Sequence, residues 1–441
     1  MSGASLKRTT RTLVIAGLLG LAAGPGWLDA WQTELDRNRL AAAGLDLVES
    51  RHLNLVTDAR DRQDVAGFTG VFEQAIGQWC EYFSIDPDTV AGWKMTGCVM
   101  VDASRFDRAG LIPDTLPPFP AGFQRGDMLW LYTQPGDYYT RHLLLHEGTH
   151  AFMQHFLGDF GPPWYAEGMA ELLGVHRWQD GRLSIRHAVT RREQVPWWGR
   201  VKLIRDDCQS NRSRTLDEVL ELPAGSFRQV NAYAWAWAAC EFFDRHPDTR
   251  EVFRQLPDRV RMEPRQFNRA FRAALRENGI DWRELERDWQ WMLEEIDYGY
   301  DVAAAVPVDC PTSGTDDSVQ VEVAADRGWQ ATGVRVRAGQ TWRLTANGMF
   351  RIRDDHQPWA CDAGGVTIEY YRGRPLGRLL ATVVPDDPGA VPDAAAWIDV
   401  GHQAVCRFAT DGQLYLRVNE SPAGWHDNEG RLSVTIHRDS D

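Results

Sequence analysis

Two histidines four residues apart enclose the run His146-Glu147-Gly148-Thr149-His150. It lies inside Arg141 to about Leu157, whose spacing predicts a helix capped by Thr140 and stopped at Gly158. On a helix, residues four apart stand one turn above each other, so both imidazoles face one point. Neutral imidazole nitrogens suit zinc, which in reactive sites takes three protein ligands and keeps one position for water. Glu147 sits beside them, turned toward the same cleft, where a carboxylate can take a proton from that water. A third ligand must come from elsewhere.

The metzincin pattern would need glycine three residues and histidine six residues after His150, but Met153 and Phe156 stand there and His155 misses by one. The gluzincin pattern takes a glutamate from a following helix. Trp164-Tyr165-Ala166-Glu167-Gly168-Met169-Ala170-Glu171-Leu172 supplies it, with 16 residues between His150 and Glu167. That is room to finish one helix, turn at Gly158 to Pro163, and run a second antiparallel to it as far as Gly174. Glu167 is therefore the expected third ligand. Glu171, one turn on, is placed to accept the distal N–H of a ligand histidine and fix its tautomer. His142, one turn before His146, reads as exposed, and His176 and His187 as surface or core histidines.

The run HExxH followed by W-x-x-E-G-x-A-E resembles the gluzincin metallopeptidases, in order of elements over roughly residues 45–300. The resemblance implies an α+β zincin-like domain with a helical C-terminal part. It implies zinc on His146, His150 and Glu167, with Glu147 activating water for hydrolysis of a peptide or protein substrate. Similar aminopeptidases stabilise the oxyanion with a tyrosine about sixty-five residues past the glutamate ligand, and Tyr233 stands 66 residues past Glu167. Substrate is expected along an edge strand preceding the active helix, here Asp127 to Thr133. Endopeptidase and exopeptidase action both stay open.

The elements around this run are read from periodicity. Leu45 to Ala59 favours a strand, Asp61 to Phe83 a helix, Lys94 to Val101 a strand, Leu111 to Gly122 a surface loop, and Leu216 to Ile296 an almost wholly helical region. After a small-residue linker at Val302 to Pro307 the texture changes to short strands with turn signals, which indicates an all-β sandwich over 308–441.

Four stretches of that sandwich carry a second resemblance: Thr332 to Gln340, Ala346-Asn347-Gly348, Leu416 to Pro422 and Asp427 to Val434. They resemble the small calcium-dependent galactophilic lectins of bacteria. The resemblance implies calcium held by Glu420, where the family has aspartate, the carbonyl of Gly424, Asp427 and Asn428, and a glycan or cell-surface ligand. Trp329, Trp359, Trp397 and Trp425 are aromatic enough to stack on sugars, although core packing explains most of them.

With 441 residues, a multidomain chain of about three folding units is expected. A formal charge of -14 opposes nucleic acid as a partner. Lys7, Arg8 and Arg11, then the apolar run Leu13 to Gly24, then Pro25 and Gly26 make residues 1–30 a secretory signal or an uncleaved anchor, the latter being the one expected membrane attachment. The rest is expected to be exported, and seven cysteines, an odd number, leave at least one thiol without an internal partner. The reading is an exported zinc metallopeptidase with a lectin-like module. Its rival is a non-catalytic surface or glycan-binding protein on a zincin scaffold.

Overall fold

The computed structural model describes residues 35–59, 65–195, 199–315, 318–354, 356–385 and 396–439, so the leader segment 1–30 lies outside the described residues. The chain forms two compact units. One takes the chain up to His187 with Leu220–Ala238 and Pro257–Phe267; the other takes Ala188–Val219, Ala239–Leu256 and Asn268–Asp441. Among the described residues no helix is long and apolar enough to cross a membrane.

The first unit opens with helix α1 (Arg37–Ala43), whose start is capped by the Asp36 carboxylate. It is built on five strands, β1 (Asp46–Glu49), β2 (Leu53–Thr57), β3 (Met95–Met100), β4 (Gly122–Arg125) and β5 (Met128–Tyr132), in the order β1-β2-β3-β5-β4. Strands β2, β3 and β5 are parallel, whereas β4 runs antiparallel to β5 at the edge. Met128-Leu129-Trp130-Leu131 is buried on both faces, as the unbroken apolar run requires of a central strand. Two expectations are corrected here. Leu45 to Ala59 is not one strand but the antiparallel pair β1 and β2, turned where the Ser50 hydroxyl donates to the Leu53 carbonyl. Asp127 to Thr133 is not an edge, because β4 covers it.

Helix α2 (Val65–Phe83) crosses between β2 and β3, and the short α3 (Ala103–Arg108) follows β3. Helix α4 (Asp137–Phe152) then brings the HExxH run into the unit, buried from Tyr139 to Phe152 except at Arg141. It begins one turn before Thr140; that hydroxyl instead accepts from the Gln134 amide at 3.0 Å and ties the preceding loop down. Gly148 lets α2 approach: a Cβ there would come 2.7 Å from Trp79 and 2.9 Å from Phe72. Trp79 also packs on Phe152, and truncating a buried ring of this size costs about 3–5 kcal/mol. The last turn, Met153–Leu157, is a π-helix ending at Gly158, whose φ of 87° and contact with the Arg261 guanidinium both demand glycine. Arg261 Nε donates to the Leu157 carbonyl at 2.8 Å, closing the helix end. Helix α5 (Pro163–Gly174) follows, with proline preset at its first turn.

The second unit holds helices such as Trp282–Glu295 and two five-stranded sheets. One sheet runs Gln403–Arg407, Thr341–Asn347, Arg431–Arg438, Ser318–Ala324 and Thr312–Thr315; the other runs Ile398–Asp399, Leu379–Val384, Gly412–Val418, Gln330–Val336 and Val308–Asp309. Their inward residues, including Val321, Leu344 and Val434 from one sheet and Leu379, Leu414 and Leu416 from the other, share one core. The chain is thus multidomain, with an α/β N-terminal region, helices in the middle and a β-rich C-terminal part. All seven cysteines are free thiols.

Candidate metal centre

Helix α4 sets His142, His146 and His150 one turn apart, and α5 sets Glu167 and Glu171 one turn apart opposite them. All five are buried, with no more than 5% of any one exposed. A single carboxylate oxygen, Glu167 Oε2, faces two imidazoles: His146 Nε2 at 3.2 Å and His150 Nε2 at 3.5 Å. It makes no hydrogen bond although it is buried. One oxygen with two nitrogens converging on the same space is the arrangement of ligands around an ion. A tetrahedral ion with bonds of about 2.0–2.1 Å spaces its ligands about 3.3–3.4 Å apart, which the two distances bracket. His146, His150 and Glu167 therefore fit a metal ion.

Glu171 is arranged differently. Its Oε1 lies 3.2 Å from His146 Nδ1 and its Oε2 3.2 Å from His142 Nε2, one oxygen to each ring, so it bridges. His142 is thereby corrected: it is buried, not exposed, and its Nδ1 lies 3.0 Å from the Gly174 carbonyl. The four-residue spacing that singles out His150 also singles out His142, and was the signal available. His176 is a core histidine whose Nδ1 meets the same carbonyl at 2.9 Å, with burial pushing it down to about 3.

Charge in the pocket follows from this crowding. Burial alone would lower His146, but the Glu167 and Glu171 carboxylates override it and push the ring up to about 10. Burial would raise Glu167, yet His146 and His150 hold it below the usual carboxylate range. Glu147 is raised by burial, which outweighs the two imidazoles.

Glu147 also shows a residue that the sequence did not flag. A Cβ on Gly122, the first residue of edge strand β4, would come 2.6 Å from Glu147 Oε1. Glycine there leaves room for the carboxylate, and a lone glycine after Leu111 to Ala121 carries no signal of that in the sequence. Tyr233, in helix Val230–Arg245, is buried with its ring 6.0 Å from the His146 ring and 5.2 Å from Phe227. Phe160 stands edge-on to His150 at 5.5 Å.

In the second unit, Glu420 is buried, and burial pushes it up to about 7. Its Oε2 accepts from Asn428 Nδ2 at 2.7 Å, and that amide also donates to the Ala325 carbonyl at 2.9 Å. A Cβ on Gly424 would overlap Glu420 Oε1. Asp427 turns aside to accept from the Asp354 amide at 3.1 Å. Trp329, Trp397 and Trp425 are buried around the Arg417 guanidinium at 5.2, 5.2 and 5.6 Å, whereas Trp359 is half-buried.

No family model matches the chain, and no curated protein matches it. Among solved structures it is similar to one described as the EclA N-terminal domain, a PllA-like lectin, with 20% identity and a TM-score of 0.22 over 28% of this chain and 100% of that one. It is also similar to PliG of Aeromonas hydrophila, a periplasmic lysozyme inhibitor of g-type lysozyme, with 13% identity and a TM-score of 0.20 over 31% of this chain and 100% of that one.

Proposed function

We propose that the chain is an exported zinc-dependent hydrolase acting on peptide bonds, with a C-terminal lectin-like module that tethers it to a glycan or a surface. The observation that carries this reading is Glu167 Oε2, buried, without a hydrogen bond, and faced by two imidazole Nε2 atoms. His146, His150 and Glu167 would hold the ion. Bound there, zinc lowers the pKa of a coordinated water toward about 7 and polarises a carbonyl.

The remaining roles belong to this chain's side chains. Glu147, raised by burial, holds a proton more readily than an ordinary carboxylate, which suits a base that takes a proton from water and returns it to a leaving amine near neutrality. Gly122 keeps β4 close to that carboxylate, and the edge of β4 offers backbone amides to an extended peptide. Tyr233, packed beside His146, supplies a hydroxyl for the developing oxyanion. In the second unit Glu420, Gly424, Asp427 and Asn428 are the positions for calcium, which takes six to eight hard oxygens at about 2.3–2.6 Å.

The full chain should cleave an unbiased peptide library in a chelator-sensitive manner. Glu147→Gln should lose about 10²–10⁴-fold in rate while keeping its metal. If both proteins are equally inactive although wild type is metal-loaded, the hydrolase reading fails and the glycan- or surface-binding reading takes its place.

A further inference from the structure

We propose that His142 is a positioning residue of the metal centre, clasping Glu171 so that its other oxygen stays on His146. The inference rests on the metal reading above and deepens it. His142 Nδ1 lies 3.0 Å from the Gly174 carbonyl, which can only accept, so Nδ1 carries a hydrogen. Its Nε2 stands 3.2 Å from Glu171 Oε2. At the other end, His146 turns Nε2 to Glu167 Oε2, so Nδ1 is the nitrogen left to face Glu171 Oε1, at 3.2 Å. Glu171 is gripped at both oxygens, and the orientation of His146 depends on both grips.

The seat of His142 is purpose-shaped. A Cβ on Gly174 would come 3.0 Å from His142 Cε1, so glycine at the end of α5 admits the ring. The same carbonyl also meets His176 Nδ1, and Tyr138 stacks on His176 at 4.5 Å. An apolar side chain at position 142 would fill a buried site without desolvating a ring that has two polar nitrogens. The polar choice is accounted for by Glu171. His142, His146 and Glu171 have the ligand types to hold an ion themselves. However, each Glu171 oxygen faces one nitrogen, whereas in the His146, His150 and Glu167 set one oxygen faces two.

The test is Zn²⁺ affinity of the full chain by competition with a chelator, together with the zinc-to-protein ratio and the melting transition of the zinc-free protein. Wild type is expected to bind one zinc. His142→Phe and Glu171→Ala are each expected to weaken affinity by about 10–100-fold, and the double variant to bind no more weakly than Glu171→Ala alone. His142→Gln, whose amide reaches Glu171, should bind more tightly than His142→Asn, whose amide does not; this pair decides the matter if His142→Phe fails to fold. Unchanged affinity in folded His142→Phe, equal affinity of the Gln and Asn variants, multiplying losses in the double variant, or two zinc ions falling to one without His142 would overturn the inference. Wild type that binds no zinc would remove the metal reading itself.

Discussion

Two clusters of buried charge, one in each unit, solve the same problem in opposite ways. In the second unit Arg417 is fully buried; its Nη1 donates to both Glu295 oxygens at 2.6 and 2.7 Å and its Nη2 to the Glu420 carbonyl at 2.9 Å. One cation meets one carboxylate at hydrogen-bonding distance, with indoles around them. In the first unit three carboxylates and three imidazoles share a pocket, and one carboxylate oxygen faces two ring nitrogens without bonding either. The Arg417 cluster neutralises itself and explains itself as structure. The His146 cluster is not paired off in that way, and its geometry fits a metal ion. The distinction between burying charge for packing and burying it for chemistry therefore lies in convergence, not in burial.

The comparison can be broken most forcefully at Glu295. Glu295→Ala leaves Arg417 buried without its carboxylate and should cost about 3–5 kcal/mol in denaturant unfolding, with zinc affinity unchanged. Replacing both partners, as in Arg417→Met with Glu295→Leu, should restore most of that loss. A double variant as unstable as the single one would mean that the pair does more than pack.

Glu420 gives the next largest effect. Its folded-state value is raised from 4.5 to about 7, so the folded protein binds the extra proton between those values. The stabilisation is present below pH 4.5 and is lost as pH rises through about 7, amounting to about 3 kcal/mol. Glu420→Gln should flatten this part of the stability profile measured from pH 5 to 8. In wild type, calcium should recover stability at pH 8 if Glu420 is a ligand, and should do nothing there if it is not.

The smallest expected effect sharpens the other cluster. Gly122→Ala must displace the Glu147 carboxylate, so peptide hydrolysis should fall by about 10–100-fold, on the order of 1–3 kcal/mol of barrier, while zinc content stays at wild type. Normal activity would show that Glu147 can yield without loss.

The legible part of the site was whatever local periodicity encodes. Four-residue spacing on α4 and α5 placed His146, His150, Glu167 and Glu171 together, and Pro163 and Gly158 marked the turn between them. Strand content was legible after Ala305 because the texture changes from helical to alternating there. What failed required knowledge of neighbours. Asp127 to Thr133 reads as a strand, but whether it forms an edge depends on Gly122–Arg125, four residues too few to announce themselves in the sequence. His142 looked exposed because its partners, Glu171 and the Gly174 carbonyl, come from another helix. Gly122 had no signal at all, since its function is the absence of a side chain next to a residue 25 positions away. The Thr140 cap failed for the opposite reason: a good capping residue was used one turn inside the helix to hold a loop.

The central claim is that His146, His150 and Glu167 converge on one ion. It is tested most directly by elemental analysis of the full chain after zinc loading and extensive dialysis, set beside Glu167→Ala, with melting curves to show that both are folded. One zinc per wild-type chain and none in the folded variant is the predicted result; zinc absent from wild type, or retained in equal amount without Glu167, would contradict it.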